Sequence, residues 1–118
     1  MVILMGGGLG TQNLAASEMV AGVLAEAARR DICVSAICAA PTVLEKAGML
    51  KSKRVTAFPD VQNELTDSVV DGGPAVVDGK IVTGRSAGVA LQFAHELAKL
   101  LVGQQKANEV VANLYPEK

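Results

Sequence analysis

The chain has 118 residues, of which 50% are hydrophobic, 3% are aromatic and 12 are glycine, which suits one domain with a real core at the small end for a parallel sheet. Eleven basic and 12 acidic residues leave a formal net charge of −1, and no basic stripe or run appears, so neither nucleic acid nor an anionic membrane is expected as a partner. The apolar opening Met1-Val2-Ile3-Leu4-Met5 lacks a basic flank and stops at glycines, so it is expected to be neither a signal peptide nor a membrane span.

That opening run, closed by Gly6-Gly7-Gly8, reads as a buried parallel strand, with the loop continuing from Gly10 to Asn13. A helix is predicted from about Ala15 to Arg30, with Met19, Val23, Leu24 and Ala27 on its buried face and two arginines in its last turn. Ile32 to Ile37 reads as the second strand. Pro41 suits the first turn of a short helix running to Ala47, and Gly48 ends it. Val55 to Phe58 is a third strand closed by Pro59, followed by a polar connector from Asp60 to Asp71 with room for a helical turn. Ala75–Val77 and Lys80–Thr83 then flank an Asp78-Gly79 hairpin turn. A helix from about Ala87 to Val102 is expected to bury Leu91, Ala94, Leu97, Ala98 and Leu101, and Gly103 stops it. A last helix, Gln105 to Ala112, leads to the tail at Tyr115-Pro116.

Strands alternating with helices predict an α/β fold with a mostly parallel sheet. Such a sheet needs helices on both faces, yet the first strand has no helix before it, and so few strands would leave faces and an edge uncovered. The chain is therefore expected to be incomplete at its N-terminus, or to fold against another chain.

Ala36-Ile37-Cys38-Ala39-Ala40-Pro41 carries the main chemical signal. A strand runs into small residues and then a helix, as in a nucleophile elbow, where a sharp turn leaves no room for bulk and projects the nucleophile above the sheet. Unpaired N–H groups at the helix start would stabilise a thiolate there. The plainer alternative is a buried cysteine, a common fate of the residue. Cys33, five residues earlier, would lie on the opposite face of a continuous strand, roughly 16 Å away at about 3.3 Å per residue. A bridge between the two is thus excluded, and a reducing, cytoplasmic setting is expected.

Gly6-Gly7-Gly8-Leu9-Gly10 would let backbone N–H groups approach a bound oxygen, as an oxyanion hole requires; turn glycines of no further consequence are the alternative. A dinucleotide fingerprint starting at Gly6 fails at Thr11, and no Gly-Lys-Ser/Thr follows, which removes a phosphate loop. His95, the single histidine, sits in mid-helix and reads as a surface imidazole. One histidine and two badly spaced cysteines make no metal site, and no cofactor is expected. Arg85 is placed to bind an anion or helix-end backbone, with a surface role the equal alternative. Asp60, Glu64, Asp67 and Asp71 read as a solvated face.

Three blocks in order, Gly6-Gly7-Gly8-Leu9-Gly10-Thr11-Gln12-Asn13-Leu14, Ala36 to Thr42, and Thr83-Gly84-Arg85-Ser86-Ala87-Gly88 with Gln92-Phe93-Ala94, resemble the ThiJ/PfpI superfamily, in the branch of the Parkinson-disease-linked protein deglycase. The resemblance covers nearly the whole chain. It implies a flavodoxin-like three-layer sandwich, usually homodimeric, with Cys38 as nucleophile or redox thiol. Gly7 and Ala39 amides would form the oxyanion hole, and Gly8, Phe58 and Ala87 would line a small pocket. The activity so implied is glutathione-independent glyoxalase or deglycase chemistry on a small aldehyde such as methylglyoxal, with oxidative-stress protection. A redox sensor or chaperone is the alternative, and a peptidase or nucleotide-binding module follows far behind.

Two departures stand out. The family's glutamate beside the thiol lies on an N-terminal strand-helix segment absent from these 118 residues, so this chain alone is expected to be weak or inactive, with a homodimer mate or an N-terminal companion fragment completing it. Phe58 stands where some members have histidine, and Ala39 follows the cysteine where peptidases of the superfamily have histidine, which counts against proteolysis.

Overall fold

A computed structural model describes residues 1–114. In chain order the described elements are β1 (Val2–Leu4), α1 (Gly8–Ala16), α2 (Glu18–Arg29), β2 (Val34–Ile37), α3 (Pro41–Lys46), β3 (Arg54–Val55), β4 (Val69–Val70), β5 (Ala75–Asp78), β6 (Ile81–Gly84), α4 (Ala90–Val102) and α5 (Gln104–Leu114). A 3-10 helix spans Pro59–Glu64, and another, Ala87–Val89, leads into α4.

The main sheet has the order β1-β2-β6-β5. β1, β2 and β6 are parallel, with Ala36 opposite Leu4 on one side and Thr83 on the other, while β5 runs antiparallel along β6. The whole of β2 is buried, as expected of a central strand covered on both faces. Its alternate residues feed two cores. Val34 and Ala36 pack with Leu4, Leu24, Ala27, Val43 and Leu44 on one face, whereas Ile37 joins Val82, Phe93 and Leu97 on the other. The α/β layering expected from the sequence is thus present, with the helices α1 to α3 on one face and α4 on the other.

Several elements differ from the sequence reading, each for a local reason. The glycine stretch is not an open loop: α1 begins at Gly8, after Gly7 adopts φ 89°, a conformation open to glycine. The single helix expected from Ala15 to Arg30 is two helices, broken at Ser17. Ser17 is extended there, and its Oγ accepts from the Val20 amide at 3.2 Å, capping α2. Leu24 and Ala27 are 2% exposed, but Met19 is 81% and Val23 47% exposed. These two lie along the β1 edge of the sheet, where nothing among the described residues covers them. In α4 the buried residues are Phe93 and Leu97, while Leu101 and Ala94 are exposed. At about 1.5 Å per residue α4 is longer than the four-residue strands it crosses, so its last turn overshoots them.

The third strand is only two residues long and pairs with β4, unforeseen in the connector, as a separate two-stranded parallel sheet. The chain leaves that ladder because the Thr56 amide donates instead to Thr83 Oγ1 at 2.9 Å. In the hairpin the turn is Gly79-Lys80, because Asp78 pairs with Ile81 and its carboxylate accepts from the Arg54 amide at 2.9 Å. Gly79 then supplies the positive φ, 60°, at the first turn position. The tail at Tyr115-Pro116 falls outside the described residues.

Candidate active site

The C-terminal ends of β1 and β2 bring the two glycine- and alanine-rich turns together. Cys38 follows directly on β2 and has φ 66°, a left-handed conformation that non-glycine residues seldom hold and that costs roughly 1 kcal/mol. Its neighbours fix it there. The Cys38 amide donates to Gly84 O at 2.9 Å, and its carbonyl accepts from the Phe58 amide at 2.8 Å. Ala40 N reaches back to Ile37 O at 3.1 Å, and Thr42 Oγ1 donates to Ala39 O at 2.7 Å. Both peptide groups of the bend are therefore held by different elements, the β6 end and the segment before the 3-10 helix.

The glycine turn presses against this bend. A Cβ on Gly6 would lie 2.6 Å from Cys38 Cβ, 2.7 Å from Ile37 O and 3.5 Å from Ala39 N, distances that admit no side chain. Gly84 is similarly crowded, with Ile37 Cγ1 and Phe93 Cδ1 each 2.9 Å from a Cβ there. These are close-approach glycines, required by packing at the site.

The left-handed turn also redirects the thiol. A continued strand would place Cys38 on the face of Val34 and Ala36; instead both Cys38 and Cys33 pack against the cluster of Ile37, Val82, Phe93 and Leu97. The opposite-face expectation is corrected on this point: Cys33 keeps the Ile37 face that alternation along the strand gives it, and the left-handed bend brings Cys38 to the same face. Both thiols are free. Burial pushes the Cys33 thiol above its ordinary value, an effect that Lys80 and the N-terminus partly oppose. Cys38 itself is half-buried.

Of the other residues singled out, Gly7, Gly8 and Ala39 sit around the bend, and neither the Gly7 nor the Ala39 amide donates to a hydrogen bond among the described residues. Phe58 is 38% exposed and touches the site through its backbone. Ala87 is exposed at the start of the 3-10 turn before α4. Arg85 Nη1 donates to Gly72 O at 2.8 Å, and its amide donates to Pro74 O at 2.9 Å, so its side chain staples the 72–74 loop. His95 Nε2 lies 2.8 Å from Asn108 Oδ1, linking α4 to α5 away from the thiol. Sequence reasoning missed the partners that hold the bend, Gly84 and Thr42. A glycine ending a strand, and a threonine three residues after Ala39, were the available signals. No group of three or more His, Cys, Asp or Glu among the described residues is arranged to hold a metal, and no helix among them is long and apolar enough to cross a membrane.

A mostly parallel sheet under helices, with a cysteine on a left-handed strand-to-helix bend beside a glycine turn, defines an α/β protein of the thiol-elbow class. Residues 1–100 match the DJ-1/PfpI family, and the chain belongs to it. It is 37% identical over 116 residues to the Drosophila melanogaster protein dj-1beta, covering 96% of this chain and 62% of that protein. The crystal structure of Drosophila melanogaster DJ-1beta superposes with a TM-score of 0.90 at 32% identity, covering 98% of this chain and 64% of that one. A Caenorhabditis elegans protein named glutathione-independent glyoxalase DJR-1.2 is 28% identical over 116 residues, 96% of this chain and 61% of that protein. The chain thus spans less than two thirds of the length of these relatives.

Proposed function

We propose that this chain carries the thiol half of a cysteine-dependent carbonyl site, acting on a small α-oxoaldehyde such as methylglyoxal. The observation that carries the reading is the left-handed Cys38 clamped against Gly6, an arrangement that spends stability on aiming one sulfur. The kinship to a glyoxalase-named relative supports it. The Cys38 thiolate adds to the aldehyde carbon, and the resulting oxyanion is met by the Gly7 and Ala39 amides, which have no other partner among the described residues. The hydrogen on the former aldehyde carbon then moves as a proton to the neighbouring carbon through an enediol. The aldehyde carbon is thereby oxidised to a thioester while the ketone is reduced to an alcohol. Water cleaves the thioester, returning the thiol and giving lactate, so no outside oxidant or reductant enters.

The carboxylate that would move this proton is proposed to lie on a further segment, and the 118-residue chain alone is expected to turn over slowly. The outer edge of β1 is unpaired among the described residues, and Ile3, Met19 and Val23 beside it are exposed, which supports completion of the sheet there by such a segment or a companion chain. The two free cysteines support a reducing, cytoplasmic setting. Lactate formation from methylglyoxal, by this chain and by a longer form carrying the segment, should be lost in Cys38→Ser. Equal rates in variant and parent would overturn the reading.

A second reading, a redox sensor, is favoured by the incomplete burial of Cys38 beside unpaired amides, which would also stabilise a sulfinate. A gain of two oxygens at Cys38 after mild peroxide, without aldehyde turnover, would select it.

A further inference from the structure

An aspartate followed by glycine is where a side-chain carboxyl most readily closes onto the main chain, because glycine puts no Cβ beside the attacking nitrogen. The sequence holds two such pairs, Asp71-Gly72 and Asp78-Gly79, each preceded by a valine, and the fold treats them differently. Asp78 is a strand residue paired with Ile81, and its Oδ2 accepts from the Arg54 amide at 2.9 Å. That bond turns the carboxylate toward another element, while Gly79 is committed to the hairpin turn at φ 60°.

Asp71 lies just beyond β4, outside any strand, and Gly72 is exposed. Asp71 Oδ1 accepts from the Gly73 amide at 2.8 Å, so the side chain loops forward over the Asp71–Gly72 peptide. The Gly72 amide inside that loop donates to no hydrogen bond among the described residues. Arg54 Nη1 reaches Asp71 Oδ2 at 3.4 Å, but the two side chains are 58% and 39% exposed, and an exposed pair holds its members weakly. Shape does not require glycine at position 72. A Cβ there would meet nothing within 4 Å, and Gly72 is not among the glycines of positive φ.

We propose that Asp71-Gly72 is a site of spontaneous isoaspartate formation, and that the strand spares Asp78-Gly79. The proposal goes beyond the carbonyl reading and does not depend on it. The Gly72 nitrogen attacks Asp71 Cγ, and a C–N bond forms. The amide hydrogen leaves with the carboxyl hydroxyl as water, closing a five-membered imide. Water then opens the imide at the former main-chain carbonyl, so the chain runs through the side chain and a free carboxylate stands on the Asp71 Cα. One water leaves and one enters, and nothing is oxidised or reduced. The product offers the group that isoaspartyl methyltransferases esterify with S-adenosylmethionine.

The test keeps the full chain at neutral pH and physiological temperature for weeks, then cuts it after lysine and arginine. Both pairs fall in one peptide, Val55 to Lys80, so electron-transfer fragments that distinguish isoaspartate from aspartate report the two sites together. Methylation by an isoaspartyl methyltransferase gives the total. Isoaspartate at Asp71 should exceed that at Asp78 by at least about tenfold in the folded chain, and the two should approach parity in urea. Gly72→Ala, which the backbone accommodates, should slow conversion at Asp71 by at least about tenfold with an unchanged urea midpoint. Asp71→Glu, which would need a six-membered ring, should give no product at position 71 and tests the site independently of Gly72→Ala. No excess at Asp71 in the folded chain, an excess of the same size in urea, or conversion indifferent to either substitution would each overturn the site.

Discussion

The bend around Cys38 and the flank along β1 and α2 are built from similarly small and apolar residues, yet they are opposites in packing. At the bend, Gly6 and Gly84 leave no space for even one carbon, and the Cys38 amide and carbonyl each have a partner on another element. On the flank, Ile3, Met19 and Val23 stand in the open beside a strand edge that is unpaired among the described residues. The difference teaches that the Cys38 backbone is held by the end of β6, by Phe58 and by the glycine turn, while the flank is left open.

The sharpest way to break that comparison is Gly6→Ala. The new carbon meets the Cys38 Cβ and the Ile37 carbonyl below 3 Å, and since neither is the end of a flexible chain, a loss of about 3 kcal/mol is expected. Urea unfolding measures it, and a change under about 1 kcal/mol would show the bend to be looser than described. Next comes Thr83→Val, which keeps the shape but strips the Thr56 amide of its buried acceptor. A loss of roughly 1–3 kcal/mol is expected, read by the same denaturation. Cys38→Gly runs in the other direction. Relief of the left-handed backbone should raise stability by up to about 1 kcal/mol, offset in part by the lost sulfur packing, whereas Cys38→Ala keeps the strain. A glycine variant less stable than the alanine one would contradict the strain. The smallest effect belongs to Met19→Ser on the flank. Stability of the isolated chain should stay within about 0.5 kcal/mol, while a larger loss would mean that the face is covered in solution, and sedentary mass by ultracentrifugation would then report with what.

The bend was legible because its requirements are local. A cysteine between a strand and a proline-led helix, surrounded by alanines, leaves little else for the chain to do, and a triple glycine at the end of the preceding strand announces close approach. The flank was not legible, because helical periodicity reports which residues share a face and not whether anything lies opposite. Met19 and Val23 keep the spacing of Leu24 and Ala27, but only the latter pair lies over strands. The same limit hid Phe93, whose burial depends on Gly84 offering a flat strand end. The break at Ser17 was signalled by a serine followed by Glu18 and went unread because the apolar rhythm continues across it. The hairpin slipped by one residue because Asp-Gly favours a turn locally, while the Arg54 amide holds Asp78 in the ladder from another element.

The double anchoring of Cys38, amide to Gly84 and carbonyl to Phe58, makes its backbone a fixed pedestal. Substituents can come and go on the sulfur without tugging the chain, so a chemical event there would be announced by what the altered side chain presents to its surroundings rather than by a change of shape travelling through the sheet. The same anchoring should make the Cys38 amide proton among the last to exchange with solvent, released only when β2 and β6 part.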